Sequence, residues 1–315
     1  MTPRRDLTDM PHVAETACAP ARTPSTKGRF ALDGIFWRRI AQFGARRAPA
    51  WFARAAPPVV GVAIAIAAPV ARRRIAQELE RARGPVSAGR CAIDVACTFA
   101  NFASCLTELL STGSKNGEMA EAVVQGDPRL HAILAARRGV IFATAHTAGW
   151  EVIGPLLAHK LDLPVTVVMQ RERDASACEL NDSRRRAEGG LNIVHIGENP
   201  LGSLPLLRRL RDGGVVAMQI DRVPTGMRAR AVTLFGRPGR IPEGPLRLAQ
   251  LSGAPIVPVF STRTGYRRYA VYLRQPVTVL RNAGEQEIAA ASQQLADALG
   301  EFVSAHPTQW FPFDG

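Results

Sequence analysis

A histidine and a glutamate five residues apart, His146 and Glu151, stand in the stretch GVIFATAHTAGWE that runs from Gly139 to Glu151. An imidazole beside a carboxylate can take a proton from a hydroxyl, because the carboxylate fixes the ring tautomer and stabilises the imidazolium that forms. On one continuous helix a five-residue step turns by about 500°, which leaves the two side chains roughly 140° apart. They can meet if His146 ends a strand and Glu151 lies one turn inside the next helix, with Gly149 easing the backbone between them. The apolar run before His146 and the glycine after it predict such a strand–turn–helix corner. In open α/β sheets the crevice beyond the carboxyl ends of the strands receives ligands, which would place His146 at the mouth of a cleft. The plain alternative is a histidine satisfied by a nearby carbonyl and a glutamate on a solvated face.

Several other chemistries are missing from the chain. None of the three lysines, Lys27, Lys115 and Lys160, follows a glycine, so there is no Walker A loop, and G-x-S-x-G, G-x-G-x-x-G and H-E-x-x-H are also absent. The six histidines (His12, His131, His146, His159, His195 and His306) lack metal-ligand spacing, and no metal site is expected. The five cysteines contain no C-x-x-C and suit a reducing compartment; Cys91, Cys97 and Cys105, in one helical-looking stretch, read as small buried thiols. A histidine–carboxylate pair without a Ser or Cys nucleophile suits base catalysis on an incoming hydroxyl, which is then itself the nucleophile. Attack on an acyl thioester would raise an oxyanion needing donors such as backbone N–H groups or arginine.

The elements that must position this pair follow from composition and periodicity. The net charge of +13 is carried almost wholly by arginine, in short clusters such as Arg72–Arg74 and Arg184–Arg186. A basic surface attracts anionic headgroups, an acidic carrier or nucleic acid. No long basic tail, zinc-finger spacing or RNA-recognition signature is present, which disfavours nucleic acid. Residues 1–33 are a Pro/Thr/Ser/Ala mixture without the apolar core of a secretory signal and read as a mobile leader.

Residues 34–113 read as helical and basic-amphipathic. Their uncharged run Ala55–Ala71 is 17 residues long, carries Pro57, Pro58 and Pro69, and follows Trp37, Trp51 and Phe52. That length is at the lower edge for crossing a bilayer; it suits a membrane interface and equally a buried core helix. Phe99, Phe102, Leu106, Leu109 and Leu110 recur at helical spacing and predict a packing face. Residues 114–315 read as an α/β unit. Strands are predicted at 139–145, 163–169, 191–196, 214–220, 254–261 and 269–274, with helices near 150–160, 174–188, 201–211, 243–252 and 285–304. This alternation predicts a mostly parallel central sheet covered by helices, preceded by an N-terminal helical, membrane-associating region.

An ordered series of segments gives the chain a family resemblance. The arginine-rich amphipathic opening, FANFASCLTELL, GVIFATAHTAGWE, MQIDR, VTLFGRPGRIPEGPLRLAQLSGAPIVPVF and the closing HPTQWF run from about Phe36 to Phe313. HTAGWE has the H-x4-[DE] pattern of the lysophospholipid acyltransferase superfamily, and its surroundings resemble the lipid A biosynthesis (lauroyl/myristoyl) acyltransferases. The resemblance implies His146 as general base, Glu151 as its orienting partner, and Asp221 as an acidic residue that helps organise the site. It also implies a functional arginine in SRRRAEGG, assigned to Arg186, with Arg184 and Arg185 as alternatives.

The implied reaction moves a fatty acyl chain from acyl carrier protein or coenzyme A, as co-substrate, to a hydroxyl of a lipid A precursor at the cytoplasmic face of the bacterial inner membrane, with no further cofactor. Two departures bear on the acceptor: Asp221 is followed by RVPTG where the family has Tyr-Gly, and the tail FPFDG lacks closing basic residues. Another glycolipid, or a lipid or secondary metabolite of a different pathway, is therefore an alternative acceptor. An inactive membrane-binding relative and an acyl hydrolase are alternative functions.

Overall fold

The apolar runs of the second half pair into a sheet in the computed structural model, which describes residues 44–45, 47, 49–111, 120–126, 132–133, 138–151, 154, 165–170, 191–196 and 203–313. The strands are β1 (Glu121–Gly126), β2 (Val140–Thr144), β3 (Val165–Gln170), β4 (Leu191–Ile196), β5 (Val215–Gln219), β6 (Ala229–Leu234), β7 (Arg237–Pro242), β8 (Ile256–Gly265) and β9 (Arg268–Leu273). Seven of them form one sheet in the order β1-β9-β8-β2-β5-β3-β4, parallel throughout except for the β8–β9 hairpin. β6 and β7 form a separate antiparallel ribbon. The predicted α/β class and mostly parallel sheet are observed, and the six predicted strands are β2, β3, β4, β5, β8 and β9.

Three strands escape the hydrophobic pattern for a physical reason. β1 lies on the sheet edge with Ala122 as its one buried residue, and the β6–β7 ribbon, rich in arginine and proline, buries just Val232, Ile241 and Pro242, so neither shows an apolar run or a clean alternation.

Both faces of the central strands are covered, as a parallel sheet requires. Ile141 and Ala143 of β2 and Val216 of β5 pack against α4 (Leu204–Arg211), α5 (Gly244–Ser252) and α6 (Glu285–Ala305), through Leu210, Leu246, Leu299 and Phe302 among others. The opposite face carries Phe142, Val215, Val165 and Val259, which meet Cys105, Tyr269 and Phe311. The helices α4 to α6 fall where the periodicity predicts them. Of the helix predicted near 150–160, residues 150, 151 and 154 are helical; its remainder, the helix predicted at 174–188 and the leader at 1–33 lie outside the described residues.

Ahead of the sheet run α1 (Ala50–Ala67), α2 (Pro69–Arg83) and α3 (Ala88–Leu110). α1 and α2 meet at Ala68 with a bend of 101°, where the Arg72 guanidinium donates to the otherwise unpaired carbonyls of Ala65 and Ile66. The uncharged run is therefore neither one straight span nor a fully buried helix. Ala53, Pro57, Gly61 and Ala65 are buried at four-residue spacing, while Trp51 (69% exposed), Val59 (69%) and Ile66 (72%) point outward. Small residues thus face the protein and large apolar ones face away, the reverse of an ordinary amphipathic helix in water. α3 is long and apolar enough to cross a membrane by length and composition, with 44% of its most apolar window buried inside the protein.

Close approach of α1 and α3 fixes Gly61, since a Cβ there would stand 2.4 Å from the Phe99 carbonyl oxygen. Gly61→Ala should push the helices apart and cost about 1–3 kcal/mol of stability, as overpacking does. Urea unfolding of the variant beside the unaltered protein measures it.

Candidate functional site

The register of two strands decides which side chains meet. β2 and β5 are parallel with Thr144 opposite Gln219, so the residues two positions beyond each strand end, His146 and Asp221, are also brought side by side. The His146 Nδ1 lies 3.0 and 3.1 Å from the two Asp221 carboxylate oxygens, and the His146 backbone N–H donates to Oδ2 at 3.2 Å. The Trp310 indole N–H donates to the same oxygen at 3.1 Å, and Arg222 Nε stands 4.0 Å away. The Asp221 carboxylate is fully buried and the His146 side chain 23% exposed. With Nδ1–H donating to the carboxylate, the free lone pair sits on Nε2, which has no hydrogen-bond partner among the described residues.

Burial alone would push the Asp221 carboxyl up, but the His146 ring, then Arg222 and the Trp310 N–H outweigh it and hold it down to about 2. The carboxylate is thus an anion whenever the protein is folded near neutrality, as an orienting partner must be.

Here the structure differs from the expectation drawn from spacing. The carboxylate on the ring nitrogen belongs to Asp221, 75 residues away in sequence, and not to Glu151. The helix that begins at Trp150 carries Glu151 onto the wall of a neighbouring cavity, and Trp150 sets its own ring edge-on to His146 at 5.6 Å. The cavity, about 70 Å³, is lined by Thr147, Trp150 and Glu151 from the segment that carries His146 and by Gln219 at the end of β5. Its floor is Phe142, Val165, Val167, Ala217 and Val259, with Trp150 closing over it. Arg186, with Arg184 and Arg185, lies outside the described residues.

The turn that presents His146 is held from two sides. Gly149 adopts φ +81°, and a Cβ there would lie 2.2 Å from the Tyr269 ring, so the backbone can lie this close only with glycine. Tyr269 in turn donates from its hydroxyl to the buried Glu108 of α3, which also accepts from Arg263 at 2.8 Å. From the other side the C-terminal segment pairs with the turn like an added strand. Ala148 N–H donates to the Gln309 carbonyl at 2.8 Å, and Phe311 N–H donates to the His146 carbonyl at 2.9 Å.

Trp310 is the functional residue that sequence reasoning passed over. HPTQWF belongs to the resemblance, but nothing local ties its indole to an acidic residue 89 positions earlier.

A family model described as bacterial lipid A biosynthesis acyltransferase matches residues 35–314. The chain belongs to that family. It is also similar to the phosphatidylinositol mannoside acyltransferases of two Mycobacterium tuberculosis strains, CDC 1551 / Oshkosh and ATCC 25618 / H37Rv. Each is 29% identical over 195 residues, covering 60% of this chain and 58% of the relative. The Mycolicibacterium smegmatis protein of the same name is 26% identical over 187 residues, covering 58% of this chain and 57% of its own. The chain thus spans somewhat over half the length of the curated relatives it matches. Family membership agrees with the resemblance seen in the ordered segments from Phe36 to Phe313.

The depressed acidity of Asp221 ties the site to stability. Because the folded value, about 2, lies below the ordinary 3.8, the carboxylate contributes stability that is fully present above about pH 4 and is lost as pH falls through 2. That contribution is on the order of 2 kcal/mol. Asp221→Asn should therefore lower stability at pH 7 and flatten its decline between pH 4 and 2, measured by urea unfolding across that range.

Proposed function

We propose that this protein transfers a fatty acyl group from a thioester, on acyl carrier protein or coenzyme A, to a hydroxyl of a membrane glycolipid, with His146 as the general base. The observation that carries this reading is the buried His146–Asp221 pair, with a free ring nitrogen, beside an apolar cavity in a chain of this family. Nε2 takes the hydroxyl proton as the oxygen attacks the thioester carbonyl carbon. A C–O bond forms, and the carbonyl electrons collect as an oxyanion. When they return, the C–S bond breaks, and the imidazolium gives its proton to the departing thiolate. Ester and free thiol leave, and the base is restored.

No enzyme nucleophile enters this scheme. Cys105 is a buried thiol beside Gly149 of the turn, and burial, reinforced by Glu108, pushes it up to about 12, which keeps it protonated. Asp221 takes the orienting role first expected of Glu151. Glu151, on the cavity wall, we assign to the substrate, where its carboxylate accepts from the acceptor's hydroxyls. Arg186 keeps the supporting role that the resemblance implies.

The acceptor is a sugar-bearing lipid in this reading. The family description favours a lipid A precursor, and the relatives named for phosphatidylinositol mannoside favour a glycosylated phosphatidylinositol as a second reading. The outward large side chains of α1, with exposed Arg54 and Arg73 nearby, support a protein that lies on the cytoplasmic face of the inner membrane. A net charge of +13 favours an anionic bilayer surface and either anionic donor.

His146→Ala should lower acyl transfer from labelled thioester by 10³-fold or more, on the order of a lost base with its orienting partner. Glu151→Gln should raise KM for the glycolipid with a smaller effect on kcat. Unchanged turnover in His146→Ala rejects the base, and free fatty acid released without acceptor identifies a hydrolase instead. Mass spectrometry of lipids from a strain lacking the protein then names the acceptor by its missing chain. Membrane binding is tested separately: Trp51→Ser combined with Ile66→Ser should reduce flotation with anionic liposomes, and undiminished flotation removes α1 from that role.

A further inference from the structure

Among the described residues, the cavity wall holds one uncharged polar group without an answering partner. Among its uncharged polar side chains, Thr144 bonds the Met218 carbonyl at 3.3 Å, Thr147 and Ser261 share a hydrogen bond at 3.3 Å, and Ser261 also bonds the Ala148 carbonyl at 2.8 Å. Gln219 differs. Its amide nitrogen is sealed from solvent and has no hydrogen-bond partner among the described residues. A buried donor left in that state costs about 1–3 kcal/mol, so an orphan on a cavity wall points to a ligand oxygen.

Position narrows the ligand. Gln219 ends β5 on the sheet face that carries Phe142 and Ala217, the cavity's apolar floor. It stands directly opposite Thr144 and two residues before Asp221, about 7 Å along an extended chain from the residue that orients His146. A chain lying on that floor therefore brings its polar end past Gln219 on the way to the histidine. A neutral amide N–H in such surroundings selects an uncharged oxygen acceptor, and a donor there gains strength when that oxygen becomes negative.

We propose that Gln219 is a substrate-binding residue whose side-chain amide donates a hydrogen bond to the carbonyl oxygen of the acyl thioester, the first methylenes of the acyl chain entering the cavity. This assignment rests on the acyl-transfer reading above and deepens it. The amide holds the carbonyl with its carbon toward the attacking hydroxyl, and the same bond tightens as the oxyanion forms.

The test uses Gln219→Met, which keeps the length and removes the donor, and Gln219→Glu, which keeps the shape and replaces the donor with an acceptor. Dodecanoyl-coenzyme A and dodecanoyl-acyl carrier protein are compared as donors. Both variants should lose about 10²-fold in kcat, the effect of removing one oxyanion donor. Gln219→Met should unfold at the same urea concentration as the unaltered protein or a higher one, because it removes an unsatisfied group and not a structural bond. In the His146→Ala background, the infrared carbonyl band of bound, isotope-labelled dodecanoyl-coenzyme A should lie at lower frequency with Gln219 present than with Gln219→Met.

Full kcat in either variant, or the same carbonyl band with and without the amide, overturns the assignment. If the unaltered protein transfers acyl groups from neither donor, the acyl-transfer reading fails and this assignment falls with it. If it does transfer them and Gln219→Met matches it, the assignment alone is lost.

Discussion

A carboxylate with no exposure to water must be answered from every side, and Asp221 is the group around which this structure is arranged. An isolated buried charge carries a penalty of several kcal/mol, which only close, well-directed partners offset. Two of its three partner residues come from distant parts of the chain. The His146 ring and backbone N–H lie beyond β2, Arg222 follows in sequence, and the Trp310 indole comes from the C-terminal segment. The histidine and the indole can be in place only when β2 and β5 are in register and the C-terminus has returned to the sheet. The interaction that orients the histidine is thus also one that the finished fold is needed to make.

The same dependence reaches the N-terminal helices. Phe311 and Phe313, on either side of Pro312, set their rings against Phe102 of α3 at 5.4 and 4.6 Å, and Asn101 of α3 donates to the Thr308 carbonyl. Glu108, in the last turn of α3, reaches under the His146 turn through Tyr269 and Gly149. α3 therefore touches the site by two routes, and α1 packs on α3 along its stripe of small residues. The proposed membrane-facing surface and the histidine are joined by packed side chains rather than by a flexible tether.

What the chain discloses before folding follows the range of each interaction. β2, β5 and β8 are buried on both faces, so each reads as a short apolar run, and α4 to α6 carry the period of a one-sided helix. His146 stands out because it follows such a run and precedes a glycine. Its true partner was beyond local reading, since neighbours within a sheet need not be neighbours in sequence, and β5 reaches β2 only after β3 and β4 have been laid down. Spacing nominated Glu151 because it was near; register supplied Asp221, which the resemblance had marked only as site-organising. Trp310 and Gln219 carry no local signature, as an indole and an amide acquire meaning only from what surrounds them.

The division between the fixed and variable parts of the site bears on the acceptor. Proton transfer as proposed needs only His146, Asp221 and the groups that hold them, all of which sit at strand ends or in the returning C-terminal segment. The residues that follow Asp221 depart from the family's Tyr-Gly and lead through Arg222, Val223 and Pro224 into the β6–β7 ribbon. That ribbon and its approach carry Arg228, Arg237 and Arg240 exposed to solvent. A change there can alter which anionic or sugar-bearing headgroup is held without disturbing the buried pair, because the ribbon belongs to neither neighbour of β2 in the main sheet. A family described by lipid A and relatives described by phosphatidylinositol mannoside are both compatible with this single arrangement. On this view the sheet supplies a base aimed at a hydroxyl, and the surface beyond β5 selects the lipid that brings it.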